Sequence, residues 1–196
     1  ENAKTEKWII DCDPGIDDMT AISYLSTRPN TEILLISLVN GNVSLDHVTA
    51  NTKKIMKWLN KRIPIHKGAS IPILSSEKAL DNYHCEDGLG GIDDIINFDA
   101  EDVEIGKEPS YFKLIELAEK YPGEINLLLL GPLTNIAIAY NIHPRVSTLF
   151  KSIYMMGGCA FCKGNISPTA EFNYYLDFVA TKAVLTHFKN RSVEHT

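Results

Sequence analysis

Short apolar runs alternate along the chain with stretches in which apolar residues recur every three or four positions. The runs predict buried strands, and the spaced stretches predict helices. The predicted strands are 8–10, 33–39, 63–66, 125–130 and 153–156. The predicted helices are 17–26, 45–60, 110–121, 133–140 and 177–188. This alternation predicts an α/β fold with a mainly parallel central sheet flanked by helices, of the Rossmann-like kind.

The segment 75–109 breaks this alternation. It is polar and acidic, contains several glycines and has little helical period before Ile92. A segment of this length without clear structure is usually either functional or disordered.

Polar and glycine-rich breaks follow the predicted strands. They are 11–18, 40–42, 131–135 and 157–158, with 164–165 and 171–173 further along. The carboxyl ends of parallel strands meet at one edge of a sheet, and ligands bind beyond that edge. The pattern therefore places the candidate chemistry at this edge.

Four aspartates within eight residues form the sharpest feature: Asp11, Asp13, Asp17 and Asp18. Carboxylates this close raise one another's pKa unless a cation holds them, and hard oxygen ligands suit Ca²⁺ or Mg²⁺. The alternative is that Asp17 and Asp18 only stabilise a helix N-terminus, at roughly 0.3–1 kcal/mol each. That alternative leaves Asp11 and Asp13 at a buried strand end unexplained, so we favour a cation site.

A second set combines amides with a carboxylate: Asn42, Asn165, Glu171 and Asn173. Sugar hydroxyls both donate and accept, so a sugar site needs such groups. Singly, each asparagine is more often a turn or cap residue. The spacing of Glu171 and Asn173 predicts that both lie on one side of an extended segment.

Composition narrows the class of partner. The 196 residues carry a net charge of −6 with no basic stripe, which argues against a nucleic acid polymer. The absence of an apolar run of 18 residues predicts no membrane span. The length favours one domain over 1–196.

Cys159 and Cys162 fit a redox motif or half of a zinc site, although incidental thiols are the favoured interpretation. The cellular compartment stays open between cytoplasm and secretion.

These motifs together resemble the inosine-uridine preferring nucleoside hydrolase family. The stretch 11–18 (DCDPGIDD) resembles the family's N-terminal signature. The further matches, in the family's order, are Gly41-Asn42, 84–91 (HCEDGLGG), 131–135 (GPLTN), 156–158 (MGG), Gly164-Asn165 and 170–173 (AEFN). The resemblance implies hydrolysis of ribonucleosides to ribose and free base, and a homo-oligomer, either a dimer or a tetramer.

The resemblance also implies a role for each matching residue. Asp13, Asp18 and the backbone carbonyl of Leu130 would bind Ca²⁺, and Asp11 would support them from behind. Asp13 would act as the general base toward a metal-activated water. The ribose would contact Asp17, Asn42, Met156, Asn165, Glu171 and Asn173. Asp17 and His84 would also be catalytic, with His84 near the nucleobase, whereas the polar loop around His84 alone favours a plain exposed histidine.

The chain departs from the family pattern in length and at two positions. The family's C-terminal part supplies a further Asp ligand and often a His, so we expect this domain to be incomplete at its C-terminus, and 191–196 does not continue the pattern. Cys85 stands where the family usually has Gly, and Phe178 where Pro commonly follows the Asp. These departures leave open a catalytically impaired relative that binds nucleoside or ribose or acts only through protein contacts. A third interpretation, a Mg²⁺ phosphatase, rests on the same strand-end aspartates.

Overall fold

The computed structural model of the chain describes residues 4–74, 82–92, 99–188 and 193–195. Its described strands are β1 (Glu6–Cys12), β2 (Thr31–Leu38), β3 (Ile65–Lys67), β4 (Ile125–Leu129), β5 (Ser152–Met155) and β6 (Val193–His195). Its described α-helices are α1 (Ile16–Thr27), α2 (Leu45–Leu59), α3 (Ser110–Lys120), α4 (Thr134–Ile142), α5 (Phe172–Leu176) and α6 (Phe178–His187). Two 3₁₀ turns lie at Asn82–His84 and Pro144–Thr148.

The described strands form one sheet in the order β3-β2-β1-β4-β5-β6, and every pairing is parallel. The α/β class with a parallel sheet is therefore confirmed. The chain builds outward from β1 to β2 and β3, and then returns to the other side of β1 with β4. This reversal creates a switch point between β1 and β4, where open α/β sheets bind ligands.

Side chains of β1 alternate between the two faces of the sheet, and each face is covered by helices. Ile9 packs into a cluster with α3, α4 and α6, whereas Ile10 packs into a second cluster with α1 and α2. Strands buried on both faces need near-continuous apolar sequence, which the 33–39 and 125–130 runs supply. The two layers of helices fix the carboxyl ends of the strands in place.

Several elements differ from the sequence prediction. The first strand extends to Cys12, so Asp11 lies inside it, and the third is shifted to Ile65–Lys67. The helix α5 and the strand β6 were not predicted, because elements of five and three residues carry too little periodicity. Within 75–109 the described residues contain one 3₁₀ turn and a bridge from Gly106 to His66, while 75–81 and 93–98 lie outside the described residues.

Candidate active site

The turn from β1 and the start of α1 carry two buried carboxylates of the predicted cation site. Asp13 directly follows β1, and Asp18 lies in the first turn of α1; each is only 1% exposed. The Oδ2 atom of Asp18 accepts a hydrogen bond from the backbone N–H of Gly15 at 3.3 Å. Asp18 therefore does help to begin the helix, as the capping alternative expected, but its other oxygen is not used in that contact.

The residues after β2 hold Asp13 from the neighbouring strand. The backbone N–H of Asn42 donates to Asp13 Oδ2 at 2.7 Å, and Asn42 Nδ2 donates to the backbone oxygen of Asp13 at 2.9 Å. Gly41 lies so close that a Cβ atom there would stand 1.9 Å from Asp13 Oδ2. The Gly41-Asn42 pair thus fixes both the backbone and the carboxylate of Asp13.

Burial raises the pKa values of these carboxylates. It raises the pKa of Asp13 well above its usual value, and the negative charge of Asp18 raises it further. Burial also raises the pKa of Asp18 to about 7, with a further increase from Asp17. Two buried carboxylates side by side are stable as anions only with a compensating positive charge.

Behind this pair, Asp11 sits in a buried polar network. Its Oδ2 atom accepts hydrogen bonds from the Ser37 hydroxyl and, at 2.8 Å, from Asn135 Nδ2. The Ser37 hydroxyl also lies within hydrogen-bond distance of the Ser110 hydroxyl, at 2.8 Å. Burial raises the pKa of Asp11 to about 7, although both hydrogen bonds lower it. The network ties β1, β2, α3 and α4 together beneath the site.

On the other side of the switch point, Asn173 joins the ends of β4 and β5. Its Nδ2 atom donates to the backbone oxygen of Leu130 at 2.8 Å and to that of Met156 at 3.3 Å. Asn173 is 4% exposed. The Leu130 carbonyl predicted as a metal ligand is therefore held in place by one of the predicted ribose residues.

Glu171 caps α5, which corrects the prediction that Glu171 and Asn173 share an extended segment. The Glu171 carboxylate accepts from the backbone N–H groups of Asn173 and Tyr174 at 2.9 and 3.1 Å, and from Gly158 at 3.0 Å. Asn173 is thereby turned into the helix. The extended prediction failed because it assumed a period of two, whereas a helix begins at Phe172.

Asn165 also contacts the start of this helix. Its Oδ1 atom accepts from the backbone N–H of Phe172 at 2.8 Å. Asn165, Glu171 and Asn173 are thus brought together around the beginning of α5. Met156 is half-buried at the end of β5, where its backbone N–H donates to Leu129 at 2.8 Å.

His84 is buried against the start of α1, which contradicts the interpretation of a plain exposed histidine. Its ring fills the space where a Gly15 Cβ would lie, at 2.8 Å. Its Nδ1 atom accepts from the backbone N–H of Ile16 at 3.5 Å, and its Nε2 atom lies 3.5 Å from Asp17 Oδ1. Half of the Asp17 side chain remains exposed. The structure thus brings His84 and Asp17 together.

The donor set fits a hard cation. Among the described residues no three Asp, Glu, His or Cys side chains form a metal-holding group, so the candidate set is two carboxylates with a main-chain carbonyl. Within the described part of the chain, Asp18 Oδ1 is buried without a hydrogen-bond partner. A buried carboxylate oxygen without a partner is costly unless a cation compensates it. Oxygen donors of this kind suit Ca²⁺ and Mg²⁺.

Sequence reasoning missed three residues that support the site. Asn135 and Ser37 bond Asp11, and Asp177, only 2% exposed, accepts from the Ile73 backbone N–H at 2.9 Å and the Thr134 hydroxyl at 2.7 Å. The signal for Ser37 was a lone polar residue within an apolar strand. Asp177 had the signal of an aspartate directly before a helix.

The chain is similar to known nucleoside hydrolases. The family model described as inosine-uridine preferring nucleoside hydrolase matches residues 8–195. The pyrimidine-specific ribonucleoside hydrolase RihB of Escherichia coli O1:K1 / APEC is 35% identical over 181 residues, which are 92% of this chain and 56% of RihB.

The chain is also similar to solved structures of nucleoside hydrolases. The plant nucleoside hydrolase PpNRh1 superposes with a TM-score of 0.85 at 31% identity, covering 92% of this chain and 57% of that one. An inosine-guanosine nucleoside hydrolase superposes with a TM-score of 0.82 at 30% identity, covering 93% of this chain and 56% of that one. The chain therefore spans little more than half the length of the relatives that it matches.

Among the described residues, no helix combines the length and the apolar character that a membrane crossing requires.

Proposed function

Because the chain belongs to the inosine-uridine preferring nucleoside hydrolase family, we propose that its site hydrolyses the N-glycosidic bond of ribonucleosides. The bond between the sugar C1′ and the base nitrogen breaks, water adds its oxygen to C1′, and a proton goes to the departing base. The observation that carries the proposal is the buried pair Asp13 and Asp18 at the switch point of the sheet, with the unpartnered Asp18 oxygen.

Asp13, Asp18 and the Leu130 carbonyl are the proposed ligands of Ca²⁺, and Asp11 with its network supports them from below. Bound there, Ca²⁺ supplies positive charge that lowers the pKa of a nearby water. Asp13 is the proposed general base, because Gly41 and Asn42 leave its carboxylate little freedom to turn away. A base held in one orientation needs no rearrangement before it takes the proton.

The ribose is proposed to bind across the site, between the start of α1 and the start of α5. Its hydroxyls would meet Asp17, Asn42, Asn165, Glu171 and Asn173, with Met156 beside the ring. Loss of the base leaves an oxocarbenium-like sugar, and the carboxylates of Asp17 and Glu171 stabilise that positive charge. His84 would face the nucleobase while its Nε2 atom stays near Asp17.

The test measures ribose released from inosine and from uridine by the full chain, with added Ca²⁺ and after chelation. Asp13→Asn is the informative variant, because it keeps the shape of the side chain and removes its charge. Asp46→Asn is the matched control, since Asp46 is 91% exposed and pairs with Lys67 at the surface. We expect Ca²⁺-dependent release by the wild type and by Asp46→Asn, and a loss of at least about 100-fold in Asp13→Asn.

A second candidate is binding of nucleoside or ribose without turnover. It is favoured by the small ligand set, which consists of two carboxylates and one carbonyl among the described residues. Calcium-dependent thermal stabilisation without ribose release would select this candidate. Calcium-independent release, or release unchanged in Asp13→Asn, would contradict the proposed mechanism, and turnover of a phosphate ester would favour the phosphatase alternative.

A further inference from the structure

The loop after β5 carries two thiols that the proposed hydrolysis does not use. Cys159 is half-buried and Cys162 is exposed, and none of the four cysteines, all within the described ranges, is in a disulfide. The two lie between Gly158, which donates to Glu171, and Asn165, which accepts from Phe172. A change in this loop therefore acts directly on two anchors of the candidate sugar site.

A tight turn brings the two cysteines together. The backbone N–H of Cys162 donates to the backbone oxygen of Cys159 at 3.3 Å, and Phe161 has a φ of +63°. A hydrogen bond from residue four to residue one, with the third residue in the left-handed region, is typical of a type II turn. Such a turn places its first and fourth Cα atoms within about 7 Å, and disulfides span about 4.4–6.8 Å between Cα atoms.

The surroundings favour thiol chemistry over metal binding. Within the described part of the chain no third His, Cys, Asp or Glu joins the pair in a metal-holding group, so a zinc site would be incomplete. Cys162 is itself exposed, next to the fully exposed Phe161, so a reactant in solution can reach it. The half-buried Cys159 is suited to resolve an adduct that first forms on the exposed Cys162.

We propose that Cys159 and Cys162 are a redox-active dithiol, which closes to a disulfide by exchange with small-molecule disulfides. The Cys162 thiolate attacks one sulfur of the reactant, and the other sulfur leaves as a thiol. The Cys159 thiolate then attacks the Cys162 sulfur and releases the second thiol. The protein loses two protons and two electrons, and the reactant disulfide gains them as two thiols.

Formation of the disulfide replaces a hydrogen bond within the loop by a covalent bond. In the dithiol form, the Cys159 thiol donates to the backbone oxygen of Thr169 at 3.1 Å and so joins the two arms of the loop. A disulfide has no S–H group, so this bond is lost when the disulfide forms. Thr169 lies two residues before Glu171, and we expect oxidation to loosen the segment that leads into α5.

The experiment exposes the full chain to oxidised glutathione, traps free thiols by alkylation and determines the intact mass. We expect the loss of two hydrogen atoms, with peptide mapping that assigns the bond to Cys159 and Cys162, and full reversal by dithiothreitol. Cys85→Ser is the matched control, because Cys85 is also exposed but has no cysteine at turn spacing. It should react like the wild type, whereas Cys162→Ser should form no intramolecular bond.

Stable glutathione adducts on Cys162 in the wild type, without loss of two hydrogens, would overturn the proposal. A bond that disappears in Cys85→Ser would overturn it as well. Hydrogen exchange at Thr169 and Ala170 gives the second readout, and it should be several-fold faster in the oxidised chain. Equal exchange in both forms would refute the loss of the Cys159–Thr169 connection. None of these measurements depends on nucleoside turnover, so their failure is distinguishable from failure of the proposed hydrolase.

Discussion

Replacing Asn135 by alanine should destabilise the chain far more than the loss of an ordinary buried asparagine. Asn135 is fully buried beneath the candidate site. Its Nδ2 atom lies within hydrogen-bond distance of Asp11 Oδ2, the Ser37 hydroxyl and the Leu38 carbonyl, at 2.8, 3.1 and 3.0 Å. Its Oδ1 atom accepts from the backbone N–H of Ala69 at 2.8 Å. One side chain thus joins α4 to β1, β2 and the loop after β3.

The expected loss of stability depends on which hydrogen bonds the partners of Asn135 keep in the variant. The Leu38 carbonyl keeps the N–H of Gly68 at 2.8 Å, and Asp11 keeps the Ser37 hydroxyl. The Ala69 N–H loses its acceptor, which costs about 1–3 kcal/mol, and the bond to the Asp11 carboxyl adds about 1.5 kcal/mol. With the small cavity left behind, we expect a loss of about 4 kcal/mol in the free energy of unfolding. At about 2–4 °C per kcal/mol for this chain length, the midpoint should fall by about 8–16 °C.

The assay is urea unfolding, together with thermal unfolding followed by circular dichroism. Asn126→Ala is the matched control, because Asn126 is 3% exposed but makes one long hydrogen bond, to the Lys7 carbonyl at 3.4 Å. The control should lose only about 1 kcal/mol. Equal losses in the two variants would show that the network around Asp11 contributes no more than a single bond, and would refute the argument.

Three further predictions concern the site and its loops. The pKa of Asp18 is raised to about 7, and the pKa of Asp13 is also raised. The metal-free protein should therefore lose stability as the pH rises from about 4 to about 7, while its affinity for Ca²⁺ increases over the same range. Calorimetry that shows a pH-independent Ca²⁺ affinity would contradict this prediction. Glu171→Ala removes the cap of α5 and the acceptor of the Gly158 N–H, and should cost about 1–2 kcal/mol in urea unfolding, unlike Glu171→Gln, which keeps an acceptor. Cys85→Gly should stabilise the chain by about 1 kcal/mol, because residue 85 has a φ of +61°. Cys85→Ala should give no gain in the free energy of unfolding. A stabilising alanine would show that the backbone conformation is not the cause.

The sequence predicted the parts of the site that lie on long elements. Asp13 and Asp18 could be placed because a strongly apolar strand ends immediately before them, and Asn42 could be placed because it follows the next strand. The burial of Asp13 was expected from its position at the end of a buried strand, and the structure confirms it. The φ of +61° at Cys85 also gives a physical reason for the family's usual glycine at that position.

What the sequence could not predict depends on contacts between distant segments. Asn135 meets Asp11 across 124 positions of sequence, and Ile73 meets Asp177 across 104. No local pattern encodes such pairings. The helix α5 was missed for a different reason: it has five residues, and its Glu171 cap resembles a polar loop residue until the backbone N–H groups that it accepts from are known.

The position of Asp13 and Asp18 at the middle of the sheet has a consequence for how substrate preference changes among related proteins. Asp13 directly follows the central strand β1 and Asp18 lies in the first turn of α1, whereas the loops after β3 and β5 project from strands nearer the edges. The starts of those outer loops are tied to the site through Ala69 and Met156, and the parts that follow these two residues can differ among relatives while the turn after β1 keeps its form. One reactive centre can then be combined with many surroundings, which suits a family whose members include a pyrimidine-specific enzyme and an inosine-guanosine enzyme. Diversification of base choice would therefore proceed at the periphery, while the turn after β1 stays confined by its close contacts with Gly41 and His84.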